Sequence, residues 1–168
     1  MRKVYNPYKG MEGYNCFGCS PGNEHGLQMQ FYEEGDFLFS DWEPKGFLQG
    51  YHNVLHGGIQ ATLIDEIGSW LVMIKLKTAG VTSELFVRYL KPVRISKEGN
   101  IKLKASLTSF KNNLTTVHVE LFDAEGVKCA EGDPVYFVYP PEIAQKRLFF
   151  PEYNAFFKEE QAKSTENL

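Results

Sequence analysis

His56-Gly57-Gly58 opens an apolar stretch of this chain, and Asp65 and Glu66 interrupt that stretch two turns further in. Ile59, Ala61, Leu63, Ile64, Ile67, Leu71, Val72, Met73 and Ile74 predict a helix from residue 58 to about residue 75 that has almost no polar face and therefore belongs in a core. A carboxylate in such surroundings costs several kcal/mol unless it is paired, hydrogen-bonded or protonated. One of the two acids is expected to have a task.

The glycines suggest that task. The first turn of a helix presents N–H groups without intrahelical partners, at the positive end of the helix dipole. Without side chains at Gly57 and Gly58, a ligand oxygen can approach those groups, as an oxyanion site requires. A single helix does not bring both halves to one bond, because eight residues at a ~1.5 Å rise separate Gly57 from Asp65 by about 12 Å. If Gly57 and Asp65 act on the same carbonyl, they come from two chains.

The elements that must position these groups follow from the hydrophobic period. Leu27, Met29 and Phe31 alternate with Gln28 and Gln30, and Glu34-Gly35-Asp36 turns the chain into Phe37 and Phe39, which predicts a hairpin. A loop from Glu43-Pro44-Lys45-Gly46 to Asn53 leads into the helix. Beyond the helix, residues 81 to 90 read as a strand stopped by Pro92. Ile101, Leu103, Ala105 and Leu107 alternate with Lys102, Lys104, Ser106 and Thr108, the pattern of a half-buried strand. Lys111-Asn112-Asn113 turns that strand into Val117, Val119 and Leu121. Asp123-Ala124-Glu125-Gly126 then leads to a last run from 127 to 139, with a bulge or edge marked by Gly132 and Pro134. Hairpin, long helix and a meander of about four strands give an α+β fold in which one curved antiparallel sheet wraps one helix. The tail from Pro140 is aromatic at Phe149, Phe150, Tyr153, Phe156 and Phe157, so its first part is expected to dock, and residues 163 to 168 to fray. The expectation is one domain over 1–168, with a core at about 15–139 and an extension at 140–168.

The 168 residues are 43% hydrophobic and carry a net charge of −3. That composition supports a sizeable core and offers no global basic field, so nucleic acid is excluded as an expected partner. No signal-like stretch opens the chain, and Asp65, Glu66 and Ser69 make the helix a poor membrane span; the expectation is a cytoplasmic protein with no membrane partner. Cys16, Cys19 and Cys129 do not make an even disulfide framework. Cys16-Phe17-Gly18-Cys19 has no second pair to complete a zinc site, although His25 lies nearby in sequence. The cysteines therefore read as reduced and turn-forming, with no residue assigned to a metal.

The His56-Gly57-Gly58 motif with Asp65, followed by Val81-Thr82 and Arg88-Tyr89-Leu90-Lys91-Pro92-Val93, resembles the hotdog-fold acyl-CoA thioesterase superfamily, phenylacetate-pathway type, over roughly residues 15 to 139. Cys16-Phe17-Gly18-Cys19 with Asn23 and Gly26-Leu27 is similar to a leader found in one branch of that superfamily. The resemblance implies a homodimer or a dimer of dimers, with two sheets joined edge to edge and active sites between subunits. It implies that the carboxylate at Asp65 is general base or nucleophile, that the Gly57 N–H polarises the thioester carbonyl of the facing site, and that His56 orients the loop or the thioester. It also implies an acyl-CoA substrate and no cofactor beyond the coenzyme A of that substrate.

The chemistry also follows from the thioester itself, whose carbonyl oxygen must be stabilised as charge develops and whose carbon must meet an oxygen nucleophile. Glu66 points about 100° away from Asp65 around the helix and is read as an interface or capping contact. Thr82 either binds the attacking water or is only a strand former. Asn53 either holds the carbonyl or water or is a turn residue, while His52 is expected on the surface. Gly58 and Gln60 sit on the first helical turn near the ligand, with Gln60 facing it or capping the interface. Arg88, Lys91, Arg94 and Lys97 form a basic cluster suited to the phosphates of coenzyme A, and Trp70 and Phe86 are candidates to line the acyl pocket. Two other readings stand beside hydrolysis: a non-catalytic acyl-CoA binding protein, and a hydroxyacyl-thioester dehydratase, against which the Asp65 position speaks.

Overall fold

A computed structural model describes residues 1–95 and 98–158. Lys97 of the basic cluster and the expected fraying at 163–168 lie outside the described residues. The central helix, α1 (Gly57–Leu76), starts one residue before the expected position, capped by His56, and ends where Lys77 takes a left-handed conformation at φ 54°. Leu63, Ile64, Ile67, Leu71 and Ile74 are almost fully buried along it. Each such side chain stabilises the fold by ~1.5–3 kcal/mol relative to its exposure to water.

One antiparallel sheet wraps α1. Its strands are β1 (Arg2–Val4), β2 (Phe31–Glu34), β3 (Phe37–Trp42), β4 (Gly80–Glu84), β5 (Val87–Tyr89), β6 (Ile101–Lys111), β7 (Leu114–Phe122), β8 (Lys128–Gly132) and β9 (Val135–Val138). The order is β1-β2-β3-β6-β7-β8-β5, with β9 pairing β7 beside β8 and β4 pairing β9. Helix α1 packs across β3, β4, β6, β7 and β8. Ile101, Leu103 and Ala105 of β6 and Val117, Val119 and Leu121 of β7 face it. Asn112 and Asn113 join β6 to β7 with φ of 54° and 62°, the double left-handed turn whose twist suits a tight hairpin.

Several expectations need correction. Leu27 and Met29 are buried but precede β2, because the Trp42 indole N–H and the Gly18 carbonyl take up the 27–29 backbone instead of a strand partner. Residues 81–90 form two strands, β4 and β5, because β4 pairs with β9 and β5 with β8. The last run divides likewise at Asp133-Pro134, where proline has no N–H for the ladder and both parts pair with the longer β7. The meander of about four strands is thus six. Short β1 had no periodic signal and is held by β2. The tail forms α2 (Pro141–Leu148) and a 3-10 turn at Tyr153–Phe157, and it docks as expected through Phe150 and Phe156, the latter edge-on to Trp70. Among the described residues, no helix is long and apolar enough to cross a membrane.

Candidate active site

Four N–H groups at the start of α1 lack intrahelical acceptors, and the local structure accounts for three of them. The His56 N–H donates to the Leu48 carbonyl, the Ile59 N–H to the His56 carbonyl, and the Gly58 N–H to His56 Nδ1 at 2.9 Å. Among the described residues, the Gly57 N–H has no acceptor. His56 thus holds the loop by capping the helix, with Nδ1 as acceptor, and leaves one donor at the positive end of the dipole.

That donor borders a cleft of about 680 Å³ lined by residues that include Tyr51, Leu55, His56, Gly57, Gln60, Tyr89 and Lys91. The Tyr89 hydroxyl donates to the Gly57 carbonyl at 2.8 Å and fixes this peptide from the outside. Tyr89 has this role through β5, whose pairing with β8 carries it over the helix start; as a strand aromatic in the sequence it gave no separate signal. Gln60 is buried, with its amide nitrogen on the Leu55 carbonyl at 3.1 Å and its Oε1 without a partner among the described residues.

Asp65 lies at a second locus. Its Oδ1 accepts from Thr82 Oγ1 at 2.9 Å and from the Tyr136 hydroxyl at 3.2 Å, and the same hydroxyl donates to the Asp65 carbonyl at 2.7 Å. Among the described residues no donor reaches Oδ2, so one carboxylate oxygen is oriented and the other is open. Burial first, and then the Asp65 charge, pushes the Tyr136 hydroxyl well above its ordinary range, which keeps it a donor. Tyr136 reaches Asp65 because Gly68 leaves the space: a Cβ there would collide with the hydroxyl. The sequence gave no signal for Tyr136, since only the β4–β9 pairing brings it beneath the helix.

Glu66 contradicts the interface or capping reading. It points inward, where its Oε1 accepts from the Trp70 indole N–H at 3.0 Å and lies 3.5 Å from Cys16 Sγ. Cys19 Sγ is 3.2 Å from Cys16 Sγ and 3.0 Å from the Tyr14 hydroxyl. The hydrogen bond from the Cys19 thiol, more than any other contact, draws Cys16 down to about 5, while the same bond and burial push Cys19 up. Burial brings Glu66 up to about 7.

The other candidates separate. Trp70 is stacked in the core on Phe31, with ring centroids 4.6 Å apart. Phe86 is 59% exposed between β4 and β5. Asn53 occupies a left-handed turn at φ 59°, its N–H on Gln49 Oε1, and His52 is exposed. Arg88 is held against Glu131 at 2.5 Å, Lys91 lines the Gly57 cleft, and Arg94 is exposed beside it, bridged to Val54.

Residues 52–130 match the thioesterase superfamily, a segment that holds the helix start, both acids, Thr82 and Tyr89. Through these residues the chain is similar to the thioesterase superfamily. The hotdog architecture agrees with solved structures of the superfamily. A thioesterase superfamily protein matches with a TM-score of 0.64 at 21% identity, over 73% of this chain and 62% of its own, so this chain spans under two thirds of that relative. A thioesterase from Haemophilus influenzae matches with a TM-score of 0.61 at 21% identity, over 67% of this chain and 79% of its own. A Bacillus halodurans protein crystallised with CoA matches with a TM-score of 0.60 at 26% identity, over 68% of this chain and 76% of its own. No curated protein matches this chain.

Proposed function

We propose that this protein is an acyl-CoA thioesterase of the phenylacetate-pathway type, hydrolysing its substrate at sites shared between two copies of the chain. The observation that carries the reading is the accounting at the helix start: three of four N–H groups are used locally, and the Gly57 N–H is left facing a cleft. The CoA bound by the Bacillus halodurans protein supports the substrate class. Lys91 at the cleft, with Arg94 beside it, supplies cations for the nucleotide phosphates, whereas Arg88 is already engaged by Glu131.

In the proposed reaction the thioester carbonyl oxygen lies against the Gly57 N–H of one copy, and Asp65 of the other copy takes a proton from water. The water oxygen bonds to the carbonyl carbon, and the resulting oxyanion is stabilised by the Gly57 N–H. Collapse breaks the carbon–sulfur bond, and the departing thiolate takes up the proton. Thr82 and Tyr136 hold Oδ1 and aim Oδ2. The variant in which Oδ2 attacks carbon directly gives a mixed anhydride, and water then cleaves it. A two-copy site is supported by β4, which among the described residues pairs only with β9 and leaves its other edge open, and by exposed Val81, Leu85, Phe86, Tyr89 and Leu90 around it.

Complementation tests the reading. Gly57→Pro deletes the N–H at a position where proline fits a helix start, and Asp65→Asn removes the base. Each variant alone is expected to keep no more than ~1% of wild-type thiol release from a panel of short, long and aromatic acyl-CoAs. Co-expressed in equal amounts they recover about a quarter of wild-type turnover, because half the dimers are mixed and one of the two sites in each is intact. Absence of recovery would remove the shared site, and wild-type inactivity on the whole panel would remove the enzyme. In single-turnover hydrolysis in heavy-oxygen water, label in Asp65 marks the nucleophile route, with water cleaving the anhydride at the Asp65 carboxyl carbon.

A further inference from the structure

We propose that Cys16, Cys19 and Glu66 form a binding site for a single divalent zinc ion that pins the N-terminal loop to α1. The two sulfurs and one carboxylate oxygen of this cluster lie within 4.8 Å of one another, and they come from segments 50 residues apart. Tetrahedral zinc with Zn–S of ~2.3 Å and Zn–O of ~2.0 Å separates its ligands by about 3.8 Å for sulfur–sulfur and about 3.5 Å for sulfur–oxygen. The observed separations are 3.2 Å and 3.5 Å, so a small outward turn of one thiol seats the ion.

Three further features support a built site. The Cys19 N–H donates to Cys16 Sγ at 3.4 Å, and such backbone donors stabilise thiolate in a Cys-x-x-Cys turn. Gly18 sits directly over the carboxylate, and a Cβ there would collide with the Glu66 carboxyl group, so the loop closes onto the acid only with glycine at this position. The Trp70 indole N–H fixes the ligating oxygen, and the Tyr14 hydroxyl contacts Cys19 Sγ and can donate to its thiolate. Among the described residues, no cationic side chain is bonded to this group of potential anions. Buried charges that lack a protein counter-ion are characteristically neutralised by protonation or by a metal, and paired thiolates favour zinc over magnesium or calcium. The fourth position falls to water or the Tyr14 oxygen. The sequence offers no second cysteine pair beside Cys16 and Cys19, and in the fold the third ligand is Glu66 and not nearby His25. The site is independent of the thioesterase reading.

Metal uptake by the full chain, reduced with a phosphine and freed of metal, tests the proposal. The expected result is one Zn²⁺ per chain in competition with a chromophoric chelator, and a thiolate-to-metal charge-transfer band on loading Co²⁺ alone. Cys16→Ser and Cys19→Ser are expected to lose the band, and Cys129→Ser to keep it. Trp70→Phe, which leaves every ligand in place, is expected to weaken Zn²⁺ binding by ~10-fold. Glu66→Gln keeps the shape of the side chain and an acceptor for Trp70, so it holds the fold while weakening Zn²⁺ binding further; far-ultraviolet circular dichroism checks each variant. Failure of the reduced wild type to take up zinc, or equal uptake by the double cysteine variant, would overturn the site whatever the outcome with acyl-CoA.

Discussion

Asp65 and Glu66 are consecutive on α1 and therefore about 100° apart around it. Asp65 turns toward β4 and β9, where Thr82 and Tyr136 hold one oxygen and leave the other open. Glu66 turns toward the N-terminal loop, against two sulfurs and an indole N–H. One acid is oriented by neutral donors and keeps a free oxygen, and the other is enclosed with further potential anions. The difference teaches that a carboxylate's chemistry is set by the element opposite it, since the two acids share a helix, a burial class and a neighbourhood in sequence.

The largest expected effect separates the two faces. Asp65→Asn should lower kcat/KM for acyl-CoA by ~10²–10⁴-fold while the Co²⁺ charge-transfer band is unchanged, and Glu66→Gln should lose metal affinity. If Asp65→Asn also lost the band, or Glu66→Gln matched its hydrolytic defect, the faces would act as one site. Next is Gly68→Ala, whose methyl group meets the Tyr136 hydroxyl. It should destabilise the fold by ~1–3 kcal/mol in urea unfolding and reduce turnover by loosening Asp65, without altering metal stoichiometry.

Thr82→Val is the finer probe, because it removes one donor to Asp65 from an exposed strand position. Turnover should fall by ~10-fold with stability moving by no more than ~0.5 kcal/mol. The smallest effect belongs to Glu33, an acid that does have cations. Burial raises its pKa somewhat, but hydrogen bonds from Lys75 and Arg2 outweigh this and hold it below its ordinary 4.5. Its folded pKa is depressed, so its stabilisation is present above the ordinary value and is lost as pH falls through the folded one. Glu33→Gln should therefore lower the urea midpoint at neutral pH by less than ~1 kcal/mol equivalent, and match wild type well below pH 4.5.

Periodicity made the long helix, the β6–β7 hairpin and the wrapped-sheet order legible, because burial of one face per element imposes a period that survives in any sequence with this core. The breaks at residues 85–86 and 133–134 were less visible, since they depend on which strand lies alongside. The glycines at the helix start were readable as a donor site from backbone chemistry alone. That only the Gly57 N–H remains available was not, because it rests on the rotamer of His56.

By itself the sequence determined that an apolar helix begins with two glycines and carries two acids, and that Gly57 and Asp65 are too far apart to serve one bond within a chain. Only the tertiary structure decided which acid met which partners. Thr82 and Tyr136 reach Asp65 through the β4–β9 pairing, and Cys16 and Cys19 reach Glu66 through a loop folded over Gly18. Such contacts join residues far apart along the chain, and no local period records them, because the forces that fix them act across space between elements already formed.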